Sequence, residues 1–165
     1  MIGLQIMPAG RSVVSPAMWS SPVSLRLSPL GHPEQVADIL SQDDVDLRLG
    51  GRRILVVEDE VIVALELSME LEDRGAVVTG PAHSLPEALA FAEAGEIDAA
   101  ILDVDLQGAD VYPVADRLLA AGVPFVFHTG HGDRTELRER FNGALVCIKP
   151  TLSEELVAAL ATLLD

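Results

Sequence analysis

The chain has 165 residues, 49% of them apolar, and a net charge of −15, which suits one domain with a core plus an appendage and excludes two full domains. So many acids argue against nucleic acid and anionic membrane surfaces as partners, because both would be repelled. The lone cysteine, Cys147, rules out a disulfide framework and suits a reducing cytosol.

No apolar run is long enough to span a membrane, and Pro8, Arg11 and Pro16 interrupt any signal-peptide core. A cytoplasmic location is therefore expected. Residues 1–50 are Ser/Pro-rich, with no sustained apolar period, and read as a disordered extension. Within them, residues 33–40 have the pattern of two helical turns, too short to be stable unless docked. The remaining chain, 51–165, is expected to fold without the extension, so that deleting 1–50 leaves unfolding cooperative.

From Arg52 strands and helices alternate. A first strand at 53–58 leads into a helix at 61–74, stopped by Gly75. A second strand, 76–79, is closed by Gly80-Pro81. Ser84-Leu85-Pro86-Glu87 reads as a capping box opening a helix that Gly95 ends. A third strand, 99–103, precedes a helix from about 110 to 121. A fourth strand, 125–128, precedes a short polar helix opened by Asp133 and anchored by Leu137 and Phe141. The fifth strand, 144–148, is followed by a helix capped by Thr151-Leu152-Ser153-Glu154. Five β–α units with short loops predict an α/β fold, a flavodoxin-like (βα)5 doubly wound parallel sheet with strand order 2-1-3-4-5.

That order reverses between the first and third strands, and ligands in such folds bind outside the carboxyl ends of the strands at the reversal. Ile54-Leu55-Val56-Val57 runs into Glu58-Asp59-Glu60, and Ala99-Ala100-Ile101-Leu102 ends in Asp103-Val104-Asp105. Converging carboxylates repel one another unless a cation or proton intervenes. With oxygen ligands only, Glu58, Asp59 and Asp103 select a hard cation, Mg²⁺ before Ca²⁺. Glu60 and Asp110 read instead as helix-dipole partners. Lys149, the only lysine beside ten arginines, ends the fifth strand, where a compact point charge suits a phosphoryl oxygen. Thr129 ends the fourth strand with a hydroxyl donor. A nucleophilic Asp, a Mg²⁺, a Thr donor and a Lys form a minimal phosphoryl-transfer site with an aspartyl phosphate as product.

At these residues the chain resembles the response-regulator receiver domains of two-component signalling. The resemblance spans about 52–165. It rests on Ile54-Leu55-Val56-Val57-Glu58-Asp59-Glu60, Leu102-Asp103-Val104-Asp105-Leu106, Thr129-Gly130 and Lys149-Pro150, each weak alone and specific in this order. Pro124-Phe125-Val126-Phe127-His128-Thr129-Gly130 is similar to the single-domain subgroup with a Pro-Phe-x-Phe-x-Thr-Gly fourth strand, found in alphaproteobacterial stress signalling.

The resemblance implies that Asp103 accepts phosphoryl from the phosphohistidine of a histidine kinase or phosphotransfer protein. Asp59, Asp103 and the backbone carbonyl of Asp105 would hold Mg²⁺, with Glu58 acting through water, while Thr129 and Lys149 bind the phosphoryl oxygens. It also implies a cis Lys149-Pro150 bond. The protein would then be no conventional enzyme, catalysing only its own phosphorylation and dephosphorylation. One position departs from the pattern. Val146 stands three residues before the lysine, where most receivers carry a switching aromatic, and His131 and Tyr112 are the candidates to replace it. No output domain follows the last helix, so signalling is expected through a protein partner at the fourth strand–fourth helix–fifth strand face. The alternatives are a metal-dependent Toprim-like nucleic-acid enzyme, which shares Glu58 and Asp103-x-Asp105, and a receiver-like binding module that is not phosphorylated.

Overall fold

The structure is a computed structural model and describes residues 40–130, 137, 139–141 and 144–165. Its elements are α1 (Gln42–Leu49), β1 (Arg53–Val57), α2 (Val61–Asp73), β2 (Val77–Ala82), α3 (Leu85–Ala94), β3 (Ala99–Asp103), β4 (Asp105–Leu106), β5 (Ala109–Asp110), α4 (Tyr112–Ala121), β6 (Phe125–Thr129), β7 (Leu145–Ile148) and α5 (Ser153–Ala161). Leu137, Glu139 and Arg140 are helical too.

Five strands form one parallel sheet in the order β2-β1-β3-β6-β7, the doubly wound order expected from the alternation of strands and helices. Alternate residues of each strand point to opposite faces. Ile54, Val56, Ile101, Val126 and Cys147 pack on the side of α1, α2 and α5. Leu55, Val57, Leu102, Phe125 and Phe127 pack on the side of α3 and α4. Both faces are covered, which is why these strands read as continuous apolar runs.

Residues just before the boundary expected at 50 form a helix that packs on the core. Ser41 caps α1, its hydroxyl accepting from the Asp44 N–H at 3.2 Å. Val45 and Leu49 are buried in the core with Leu156 and Leu164. Arg48 donates to the carbonyls of Ala161 and Leu164 at the end of α5, and Arg74 pairs with Asp46. The eight residues of α1 thus belong to the domain. Their sparse apolar content hid this, since only two side chains reach the core. Residues 1–39, including most of the possible helix at 33–40, lie outside the described residues.

Other boundaries shift for local reasons. Strand β2 continues through Gly80-Pro81 to Ala82, where a register shift against β1 lies between Leu55 and Val57. Gly80 has φ +97, and a Cβ there would stand 2.8 Å from the Ala82 nitrogen, so only glycine fits. The capping box at Ser84 does not form. Glu87 accepts instead from the His83 N–H at 2.8 Å. At α5 it is Glu155 that accepts from the Leu152 N–H, while Thr151 bonds back to the Ile148 carbonyl. Between β3 and α4, Gln107 and Gly108 both have positive φ, the requirement of a tight hairpin turn. This makes β4 and β5 an antiparallel pair and delays α4 to Tyr112. The expected fourth helix keeps its anchors, since Leu137 and Phe141 are buried. Its start, at 133, lies outside the described residues.

Candidate functional site

Parallel strands in register bring their carboxyl ends to one edge. Val57 pairs with Leu102, Asp103 with His128, and Thr129 with Ile148. The next residues, Glu58-Asp59 after β1 and Lys149 after β7, therefore flank Asp103. Glu58, Asp103 and Thr129 are buried, and Asp59 is half-buried.

The Lys149 ammonium holds the acids together. Its Nζ lies 2.8 Å from Asp103 Oδ2, 3.0 Å from the Glu58 carboxylate and 3.4 Å from Glu60 Oε1. Oxygens of Glu58, Asp59 and Asp103 all lie within 4.8 Å of one another. The Asp105 N–H donates to Asp103 Oδ1 at 3.3 Å, and the exposed Asp105 side chain accepts from the Gly108 N–H at 2.6 Å. The Thr129 carbonyl accepts from the Lys149 N–H at 2.9 Å, which ties β6 to the lysine. The Lys149-Pro150 bond is cis, and so is Gly80-Pro81, for which the sequence carried no expectation.

Charge is distributed unevenly over the cluster. Burial pushes the Asp103 carboxyl up to about 6; Lys149 opposes this, and the Glu58 carboxylate adds to it. Burial also acts against ionised Glu58, but His128, Asp103 and Lys149 outweigh it and hold Glu58 at about 2. Lys149 loses solvation on burial, yet its bonds to Asp103 and Glu58 lift it above the usual lysine range.

Sequence reasoning missed two histidines. His128 is buried, with Nδ1 3.6 Å from Glu58 Oε2, and His83 Nδ1 lies 2.8 Å from the Glu58 carbonyl. A histidine inside the apolar run Phe125-Val126-Phe127 was the available signal for the first. Register pairing alone reveals that it lies beside the acids. Of the two candidates for the missing aromatic, His131 lies outside the described residues. Tyr112 packs against Phe141, ring centroids 5.7 Å apart, under the Arg140 guanidinium. Val146 is half-buried against the α3–α4 side of the core.

The donor set is all oxygen, crowded and anionic, and fits a hard divalent cation such as Mg²⁺. A doubly wound sheet with acids, a threonine and a lysine at its carboxyl edge is the arrangement of a receiver domain. The chain belongs to the response regulator receiver domain family, whose model matches residues 54–161, and so to two-component signalling. This placement displaces the Toprim-like alternative.

Among its relatives is TcrA, a transcriptional regulatory protein of Mycobacterium tuberculosis. TcrA is 35% identical over 120 residues, covering 70% of this chain and 47% of TcrA. The phyllosphere-induced regulator PhyR of Methylorubrum extorquens is 34% identical over 101 residues, covering 59% of this chain and 38% of PhyR. The solution structure of SdrG from Sphingomonas melonis Fr1 is similar at 41% identity and a TM-score of 0.59, covering 68% of this chain and 96% of SdrG. The chain spans about half the length of the curated relatives it matches.

Proposed function

We propose that the protein is a phosphoacceptor of a two-component or phosphorelay pathway, phosphorylated on Asp103 with Mg²⁺. The observation that carries this reading is the Lys149 ammonium 2.8 Å from Asp103 Oδ2, inside a cluster of three carboxylates. An Asp103 carboxylate oxygen attacks the phosphorus of a phosphohistidine. The new O–P bond forms as the P–N bond breaks, and the imidazole leaves with a proton. Asp59, Asp103 and the Asp105 carbonyl are the residues that would hold Mg²⁺, with Glu58 reaching it through water. The ion supplies charge neutralisation for the equatorial oxygens. Lys149 and Thr129 bind those oxygens and orient the group for in-line transfer. Hydrolysis reverses the modification, water attacking phosphorus and Asp103 leaving as its carboxylate.

The donor partner is a histidine kinase or a phosphotransfer protein, and output goes to a downstream protein through the face formed by β6, the helical residues Leu137, Glu139 and Arg140, and β7. No nucleic-acid or membrane partner enters this reading, and among the described residues no helix is long and apolar enough to cross a membrane. Mass spectrometry after incubation with acetyl phosphate and Mg²⁺ tests the assignment. The wild type gains one phosphoryl group, and Asp103→Asn gains none. An unlabelled wild type would leave the unphosphorylated binding module as the reading, and a labelled Asp103→Asn would move the acceptor elsewhere.

A further inference from the structure

Helix α2 is apolar on two faces. Ala64, Leu67 and Leu71 are buried against the sheet. Val61, Ile62, Leu65 and Met69 are 66%, 73%, 57% and 56% exposed on the opposite side. Acids border that outer face. The helix carries Glu66, Glu70, Glu72 and Asp73 and no Lys or Arg. Large exposed apolar groups at successive turns mark a surface that something covers. The face starts directly after Glu58-Asp59-Glu60, so its occupant stands at the entrance to the carboxylate cluster.

We propose that residues 23–30 of the same chain dock on this face. Three observations converge on that occupant. First, the chain enters the described structure at Leu40, which packs against the core cluster containing Leu67 and Leu71 of α2. Asp46 of α1 pairs with Arg74 at the end of α2. The preceding residues are thus tethered at the C-terminal end of the exposed face. Second, the length fits. The ten residue steps from Leu30 to Leu40 reach roughly 33–36 Å when extended, whereas the face from Val61 to Met69 is only about 12 Å long. So short a tether gives an effective concentration of order millimolar, enough for a weak contact to form. Third, the chemistry is complementary. No Asp or Glu precedes Glu34, so all 26 acids lie in the rest of the chain, while Arg11 and Arg26 lie in the acid-free stretch. The sequence Val23-Ser24-Leu25-Arg26-Leu27-Ser28-Pro29-Leu30 offers aliphatic groups to Val61, Ile62, Leu65 and Met69, and one guanidinium to the bordering acids.

The test places a nitroxide on Leu27→Cys in the full chain and reads paramagnetic broadening of backbone amides. Cys147 is 3% exposed, and wild-type protein treated alike controls for its labelling. The expected result is selective loss of amide signals along residues 61–69, and recovery of those signals in an Ile62→Asp/Leu65→Asp variant. Both replaced side chains are exposed, so this variant keeps the fold. Broadening seen only when labelled and isotope-enriched molecules are separate chains would assign the face to a second copy and overturn the proposal. Uniform or absent broadening on α2, or broadening that survives the double substitution, would overturn it equally.

Discussion

Asp103 and Lys149 show how neighbours set the chemistry of a side chain. In isolation an aspartate is ionised at neutral pH and well solvated. Here burial lifts Asp103 to about 6, and the lysine supplies the cation that the crowded acids require. The sign of the pH dependence follows. If Asp103 holds Mg²⁺ as proposed, a proton competes for that oxygen below about pH 6, and Mg²⁺ affinity should fall by about tenfold per pH unit there and level off above neutrality. Calorimetric Mg²⁺ titrations on either side of pH 6 check this, and an affinity that rises on acidification would refute it. Asp59 is half-buried and forms part of the oxygen cluster. Asp59→Asn removes a hard anionic ligand and should weaken Mg²⁺ binding by about tenfold or more, on the scale seen when metal-supporting groups are lost. Unchanged affinity would exclude Asp59 from the metal site.

At the scale of elements, α1 and α2 show what a helix contributes beyond its own propensity. An eight-residue helix is not stable alone, yet α1 is held by Val45 and Leu49 in the core and by Arg48 at the end of α5. Leu49→Ala should cost about 2–5 kcal/mol, as for other fully buried leucines, measured by denaturant unfolding. Truncation before residue 40 should leave a cooperative transition. Truncation before residue 51 should lower the midpoint sharply, because it uncovers Leu71, Leu156 and Leu164. Equal midpoints for the two truncates would show that α1 is not part of the core. Gly80 makes the same point for a strand. Its close approach to Val56 and Ala82 lets β2 pass through a glycine–proline pair that ordinarily ends a strand.

At the scale of the whole molecule, the sheet is the device that turns separate strand ends into one site, and the same edge continues into the β6–β7 face. Phosphorylation of Asp103, as proposed, would add negative charge for Thr129, Lys149 and Mg²⁺ to compensate. Thr129 should then be drawn toward Asp103, with the chain after it following. With Val146 in the place of an aromatic, the movement is expected mainly in the backbone between Thr129 and Gly143. Hydrogen exchange with and without beryllofluoride and Mg²⁺ should change most in that segment. A response confined to α2 or α5 would mean that the signal leaves by another route.

Periodicity was enough to reveal the α/β class, the strand order and the carboxylate cluster. Apolar runs that end in acids, a threonine or a lysine carry their own positional meaning once a doubly wound order is assumed. Strand β3 was legible to the residue because Ala99–Asp103 is buried on both faces and bounded by turn residues. Other features depend on contacts distant in sequence and leave no local trace. Helix α1 exists because the end of α5 and Arg74 lie beside it. His128 lies next to Glu58 because β3 and β6 pair in one particular register. The second apolar face of α2 is recognisable as exposed only once the first is seen against the sheet. Local pattern determines which residues can form an element and which can do chemistry. Only packing decides which side chains meet, because burial and proximity are properties of the assembled sheet and its helices.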